Sequence, residues 1–153
     1  MEVFTLDNLS GTLEPKQVAP YGGYVSFWQN LRMGGVGSIK LLFKSGNREI
    51  NHLLETLGSK RYANEHQMPF ANFQILSEGL LLRIHAHQIF AIAMHLEEIQ
   101  RVEITRRKNG GVVLFLNSSP TPIELLVQNL PAAKLIARYF RKRIFDFEVR
   151  VLK

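Results

Sequence analysis

Asn72 to Ile144 reads NFQILSEGLLLRIHAHQIFAIAMHLEEIQRVEITRRKNGGVVLFLNSSPTPIELLVQNLPAAKLIARYFRKRI, and the reading of this stretch decides the fold. Its first two-thirds have a period of two, the spacing of a half-buried strand. Phe73 and Ile75 point one way before Ser77-Glu78-Gly79 turns the chain. Leu80 to Ala86 follows, with Leu82 and Ile84 on one face. Ile89 to Met94 sets Phe90, Ile92 and Met94 against small alanines. Leu96 to Ile99 is a brief acidic connector. Gln100 to Arg107 then places Val102 and Ile104 inward, with Arg101, Glu103 and Thr105 outward. Asn109-Gly110-Gly111 is the strongest hairpin signal, since these residue types tolerate the positive φ of a primed turn. Val112 to Leu116 pairs back, Ser118 to Pro122 turns again, and Ile123 to Gln128 completes six strands. Successive short hairpins predict an antiparallel meander.

The last third changes period. Asn129 offers a side-chain cap, and Pro131 is tolerated in a first helical turn because its missing N–H has no partner there. Ala132, Leu135, Ile136, Tyr139, Phe140 and Ile144 form an apolar stripe at helical spacing. Lys134, Arg138, Arg141 and Lys142 occupy another side at i, i+4, i+7 and i+8. The helix is thus expected to lay its stripe on the meander and to present a basic face.

Working outward, Ser38 to Lys44 alternates as a strand, with Ile39, Leu41 and Phe43 on one side. Ser45-Gly46-Asn47 breaks it and offers caps for a helix near 47–57, whose Ile50, Leu53, Leu54 and Leu57 share a face ahead of Gly58. Ser59 to Pro69 reads as a surface loop. Tyr24 to Trp28 is dense in strand-favouring aromatics, between Gly22-Gly23 and Gly34-Gly35-Val36-Gly37. No Gly-Lys-Ser/Thr closes that glycine cluster, so a phosphate loop is not indicated, and the glycines make a hairpin or a flexible link. Met1 to Pro20 is an extended arm or one edge strand followed by loop. Phe145 to Leu152 alternates at Phe147, Val149 and Val151 and is either a last strand or a tail. Residues 1–37 are therefore taken as an N-terminal arm or edge strands and 38–153 as the body of one structural unit.

The chain has 153 residues and no cysteine, so disulfides and thiolate metal sites are excluded. Its start lacks a basic, then apolar, leader pattern, and no apolar run is long enough to span a bilayer, which points to a cytoplasmic protein. Charge is uneven: residues 1–100 hold 8 Lys/Arg against 9 Asp/Glu, while residues 101–153 hold 11 against 4. A net of +7 in the last third favours an anionic partner or a basic, solvated surface.

A meander with an acidic connector after its third strand and one C-terminal amphipathic helix resembles the pleckstrin-homology-like (PH-like) superfold. The local echo is Met94-His95-Leu96-Glu97-Glu98-Ile99-Gln100-Arg101-Val102-Glu103-Ile104, similar to a step in bacterial PH-like and GRAM-like domains. The resemblance covers about half the chain. It implies an α+β fold, in which a partly open barrel of antiparallel strands is closed by the C-terminal helix, with an extra N-terminal segment. The family has seven strands, so a seventh must come from Ser38–Lys44, Tyr24–Trp28 or the tail. It also implies a binding or scaffolding module without specifying its ligand. Phosphoinositide-binding members carry lysines and arginines beside the first hairpin loop. Here Ser77-Glu78-Gly79 is acidic with only Arg83 near, which argues against an inositol-phosphate pocket.

Chemical sites are sparse. His85 and His87 share a face of one strand and His95 lies beyond the next, a pattern that would hold zinc or copper if the three converged. No carboxylate is spaced to complete such a site, and histidines on a solvated face are the simpler reading. Ser10, Ser26, Ser118 and Ser119 lack a nucleophile-elbow context. The expectation is a non-catalytic PH-like binding module without a metal or cofactor. Its candidate ligand-binding residues are Lys134, Arg138, Arg141 and Lys142, and its partner is a protein or an anionic lipid surface. Nucleic acid ranks lower because no aromatics interleave these cations. Self-association through an exposed strand edge is compatible with either partner.

Overall fold

The computed structural model describes residues 1–6, 12–26, 28, 39–56, 68–86, 88–117, 121–142 and 145–153. Nine strands form one sheet: β1 (Glu2–Leu6), β2 (Leu41–Ser45), β3 (Phe70–Ile75), β4 (Gly79–His85), β5 (Ile89–His95), β6 (Ile99–Arg107), β7 (Gly110–Asn117), β8 (Ile123–Val127) and β9 (Glu148–Leu152). The described helices are a single turn α1 (Pro15–Val18), α2 (Arg48–Thr56) and α3 (Leu130–Lys142), with short 3-10 turns at Ala19–Tyr21 and Leu96–Glu98.

The strand order is β1-β5-β4-β3-β2-β8-β7-β6-β9. The single six-strand meander expected from the hairpin signals is split into two, β3–β5 and β6–β8. The expected PH-like partly open barrel does not form. β2 lies between the two meanders, β1 extends one end against β5, and β9 extends the other as a parallel neighbour of β6. The sheet is therefore open and mixed, with β1 and β9 as its edges, and it carries α3 on one face. The reason is local. Leu96–Glu98 forms a 3-10 turn that redirects the chain, so β5 and β6 do not pair although three residues join them. The class remains α+β.

One face of all nine strands lines a single core with α2 and α3. Phe73 on β3 and Phe115 on β7 have ring centroids 5.3 Å apart. Three strand steps would separate them by about 14 Å in a flat sheet, so the sheet curls around this core. Phe140 of α3 sits against both rings, at 6.0 and 6.2 Å.

The opposite face is covered at one end. Leu81, Ala91 and Ala93 are buried beneath Leu13, Val18, Tyr21 and Leu6. The alanines of β5 are small because this N-terminal segment lies on them. β4 is consequently buried on both sides, which a one-sided alternation does not predict.

α2 begins where expected: Asn47 Oδ1 accepts the Ile50 N–H at 2.9 Å, and Ile50 and Leu54 enter the core. Leu57 and Gly58 lie outside the described residues, as does Phe27 of the proposed Tyr24–Trp28 strand. Residues 23–26 are not in a strand. The reason given for Asn109-Gly110-Gly111 needs correction. Positive φ among the described residues occurs at Gly22 and Gly23 only. Gly110 and Gly111 are instead needed for close approach. A Cβ on Gly110 would overlap the Val127 carbonyl oxygen, and one on Gly111 would lie 2.6 Å from the Thr105 carbonyl oxygen and 3.3 Å from Ala133 Cβ.

Candidate basic docking face

That close approach fixes the position of α3. Asn129 closes the start of the helix: its Oδ1 accepts the Ala132 N–H at 2.8 Å, and its carbonyl accepts the Ala133 N–H at 3.2 Å. The buried side consists of Ala133, Ile136, Ala137, Tyr139 and Phe140. Two members of the expected stripe differ, since Ala132 is half-buried and Leu135 is 36% exposed. Ile144 is outside the described residues. The inner face instead uses alanines at 133 and 137, which let the helix approach the β6–β7 hairpin closely. Tyr139 and Phe140 pack edge to face at 5.2 Å, and with Phe145 they leave the helix little freedom to roll.

With rotation fixed this way, Lys134, Arg138, Arg141 and Lys142 are all exposed. At 100° per residue the four fall within a sector of about 100°, with Leu135 at its border. None of them forms an ion pair or hydrogen bond among the described residues. Other cations behave differently: Lys44 meets Glu124 at 2.8 Å, Arg101 meets Glu103 at 2.8 Å, and Arg150 meets Glu148 at 2.7 Å. Arg141 and Lys142 lie in the last turn, where the helix dipole favours cations. The dipole does not account for Lys134 and Arg138, whose charges lie farther from the helix end. At the other end of the helix, Ala133 lies against Gly111, and Arg107 and Lys108 near the hairpin tip are exposed. Arg106 beside them is half-buried, and its Nε has no hydrogen-bond partner among the described residues.

His85 and His95 do not converge. His85 pairs with Ile89 at one end of the β4–β5 hairpin, and His95 pairs with Gly79 at the other. Six strand residues, about 20 Å, separate them. His87 is outside the described residues, and no group of three potential ligands comes together among those described. His85 is held below the usual histidine range by burial, then by Arg83 and Lys40. His95 instead stacks on Tyr21, with centroids 4.6 Å apart. Ser26 is exposed, and Ser10, Ser118 and Ser119 lie outside the described residues.

A polar knot around His95 was not foreseen. Glu98 accepts the His95 backbone N–H at 2.6 Å through one oxygen and meets the Met1 ammonium at 2.9 Å through the other. Burial raises the Glu98 pKa, but the hydrogen bonds from Met1 and His95 outweigh it and hold the carboxyl below its ordinary value. Tyr21 donates to Glu2 at 3.2 Å. Its hydroxyl is pushed up to about 12 by burial, then by its hydrogen bond to Glu2 and the charges of Glu2 and Glu98. These contacts fasten β1 and the N-terminal segment to the β5–β6 connector. The Glu97-Glu98 pair thus divides its work, with Glu98 tying the knot and Glu97 exposed.

On the outer sheet face, Arg83 donates to Gln74 at 3.0 Å and to Asn72 at 3.4 Å. Phe70, half exposed, carries Lys40 Nζ 5.5 Å above its ring. No helix among the described residues is long and apolar enough to cross a membrane. Comparison with protein-family models, curated proteins and solved structures gave no match.

Proposed function

We propose that this protein is a non-catalytic docking module that binds an anionic lipid surface through the outer face of α3. The observation that carries the reading is the set of four exposed cations, Lys134, Arg138, Arg141 and Lys142, which have no ion-pair partner among the described residues, on a helix whose other side is locked into the core. A basic residue at an anionic membrane contributes about 1 kcal/mol, so four contribute about 4 kcal/mol at low ionic strength. Leu135 beside them adds an apolar contact of the kind that seats an interfacial helix. A nucleic-acid partner is less well supported, because the neighbouring aromatics Tyr139 and Phe140 are only 7% and 1% exposed and offer bases nothing to stack on.

Co-sedimentation with vesicles of neutral phosphatidylcholine, and of phosphatidylcholine doped with phosphatidylserine, tests the proposal. Binding is expected only with the anionic lipid. It weakens from low to physiological salt and is lost in K134E/R138E/R141E/K142E. Equal retention on neutral vesicles, no binding to either, or binding that survives the reversal overturns it. Stronger retention on single-stranded DNA than on anionic vesicles would reassign the face to nucleic acid.

A further inference from the structure

β9 is the last strand of the sheet: one backbone edge bonds β6, and the other has no strand beside it among the described residues. Such an edge is usually blunted by charge, because like charges repel an approaching copy. Here the outward charges are opposite in sign and two residues apart. Glu148 and Arg150 bond each other at 2.7 Å and complete a ring with Arg101 and Glu103. Arg101 Nη1 lies 3.7 Å from Glu148, and Arg150 Nη1 lies 3.9 Å from Glu103. The Arg101 Nε is 2.8 Å from Glu103, but its N–H is not aimed at that oxygen. Both β9 charges remain about half exposed, 50% for Glu148 and 48% for Arg150, with unused donors and acceptors.

We infer that β9 is a self-complementary edge that pairs antiparallel with the β9 of a second copy of this chain, in the register centred on Val149. A two-fold axis requires residue i to face j and j to face i. Pairing must also keep side chains on matching faces, so the axis passes through a residue facing itself. Centring on Arg150 would oppose two arginines. Centring on Val151 would leave Glu148 beyond the partner's strand. Only centring on Val149 sets Glu148 of each copy opposite Arg150 of the other, with the two valines facing and Val151 opposite Phe147. β1, the other edge, has one acidic side chain, Glu2, and no cation to answer it.

The overlap is short, well under the roughly 1,200 Å² of a stable complex, so the dimer is weak in dilute solution. The two-fold axis stands perpendicular to the continued sheet, which puts both α3 helices on one side. If the membrane reading above also holds, two basic faces then meet one surface together, and linkage strengthens the weaker contact.

The absence of cysteine makes the test direct, and it is run without vesicles so that its failure is separate from failure of the membrane reading. Val149→Cys places two thiols on facing residues, whose Cα separation of about 4.5–5.5 Å suits a disulfide. Val151→Cys, on the same strand and face and also half-buried, has no such partner. Under mild oxidant V149C is expected to form a covalent dimer at least ten times faster than V151C. Equal rates, or no dimer from V149C, overturn the inference. Sedimentation equilibrium at high concentration supplies a second readout. Glu148→Arg should abolish association, and swapping all four ring charges (R101E/E103R/E148R/R150E) should restore it. Association of E148R at the native level overturns the inference as well.

Discussion

Replacing Gly110 by alanine tests why the β6–β7 hairpin is built as it is. The added Cβ overlaps the Val127 carbonyl oxygen, and Val127 cannot retreat easily because it pairs with Gly111 and leads within two residues to the Asn129 cap. Relief requires a backbone shift at the base of α3. Overpacking of this kind costs about 1–3 kcal/mol and more where backbone must move, and the lower entropy of the unfolded alanine chain returns about 0.5–1 kcal/mol. A net loss of about 2–3 kcal/mol is expected. At about 2–4 °C per kcal/mol for a chain of this size, Tm should fall by about 5–10 °C in a thermal melt followed by circular dichroism. Gly23 is the control. It has φ +74° and open space around its Cα, so Gly23→Ala meets only the left-handed backbone penalty, about 1 kcal/mol. Asparagine separates the two causes, since it tolerates positive φ but also carries a Cβ. Gly23→Asn should lose less than Gly23→Ala, whereas Gly110→Asn should be at least as damaging as Gly110→Ala. An unchanged Tm for G110A, or rescue by asparagine at 110, would refute the close-approach account.

Four further outcomes follow from contacts described above. Removing two cations, as in R138A/R141A, should weaken partitioning onto anionic vesicles by about 2 kcal/mol, roughly 30-fold, with Tm nearly unchanged because both side chains are exposed. The Glu98 carboxyl has a depressed folded pKa, so its stabilisation is present above the ordinary carboxylate range and is lost as pH falls through the folded value. Acid melts of Glu98→Gln should therefore converge on the native protein as pH falls below the ordinary carboxylate range, and a constant gap at all pH would contradict the tie. Tyr21, raised to about 12, favours its neutral form when folded. Its contribution is complete below pH 10 and is lost as pH rises toward 12, and a spectrophotometric titration should show a late-titrating phenol that Tyr21→Phe removes. Phe140→Ala empties the space between Phe73, Phe115 and Phe145 and should cost about 3–5 kcal/mol by denaturant unfolding, against under about 1.5 kcal/mol for a well-repacked Phe140→Leu.

The strands of β3 to β8 were legible because each carries its own alternation and its own turn, and hairpin neighbours pair locally. The Asn129 and Asn47 caps were legible for the same reason: a cap is a short-range hydrogen bond. The sheet order was not. Whether Leu41–Ser45 lies at an edge or in the middle depends on partners in residues 70–71 and 124–126, and no local pattern encodes them. Likewise the alternation of Val149 and Val151 left a strand or a tail open, and nothing in it showed a strand parallel to β6. At the candidate face, spacing alone placed the four cations together. It misassigned Leu135, because helical periodicity counts leucine as buried and cannot see that alanines 133 and 137 provide the close contact. Spacing could not show that His85 and His95 lie apart, because adjacent strands that run in opposite directions put them at opposite ends of the β4–β5 hairpin.

The central position of β2 bears on how the chain assembles. Each meander is held by contacts near in sequence, whereas Leu42 pairs with Leu126 across more than half the chain. Closing so long a loop is entropically expensive, and contacts of this separation slow folding. β2 bonds both meanders, so neither half of the curled sheet reaches its final curvature until residues 123–127 have been made and docked. During synthesis β3–β5 can form while its β2-facing edge still lacks the central strand's second partner. Completion of the sheet is therefore deferred to the C-terminal third, and the Phe73–Phe140 contact that helps seat α3 forms only once the two halves have joined.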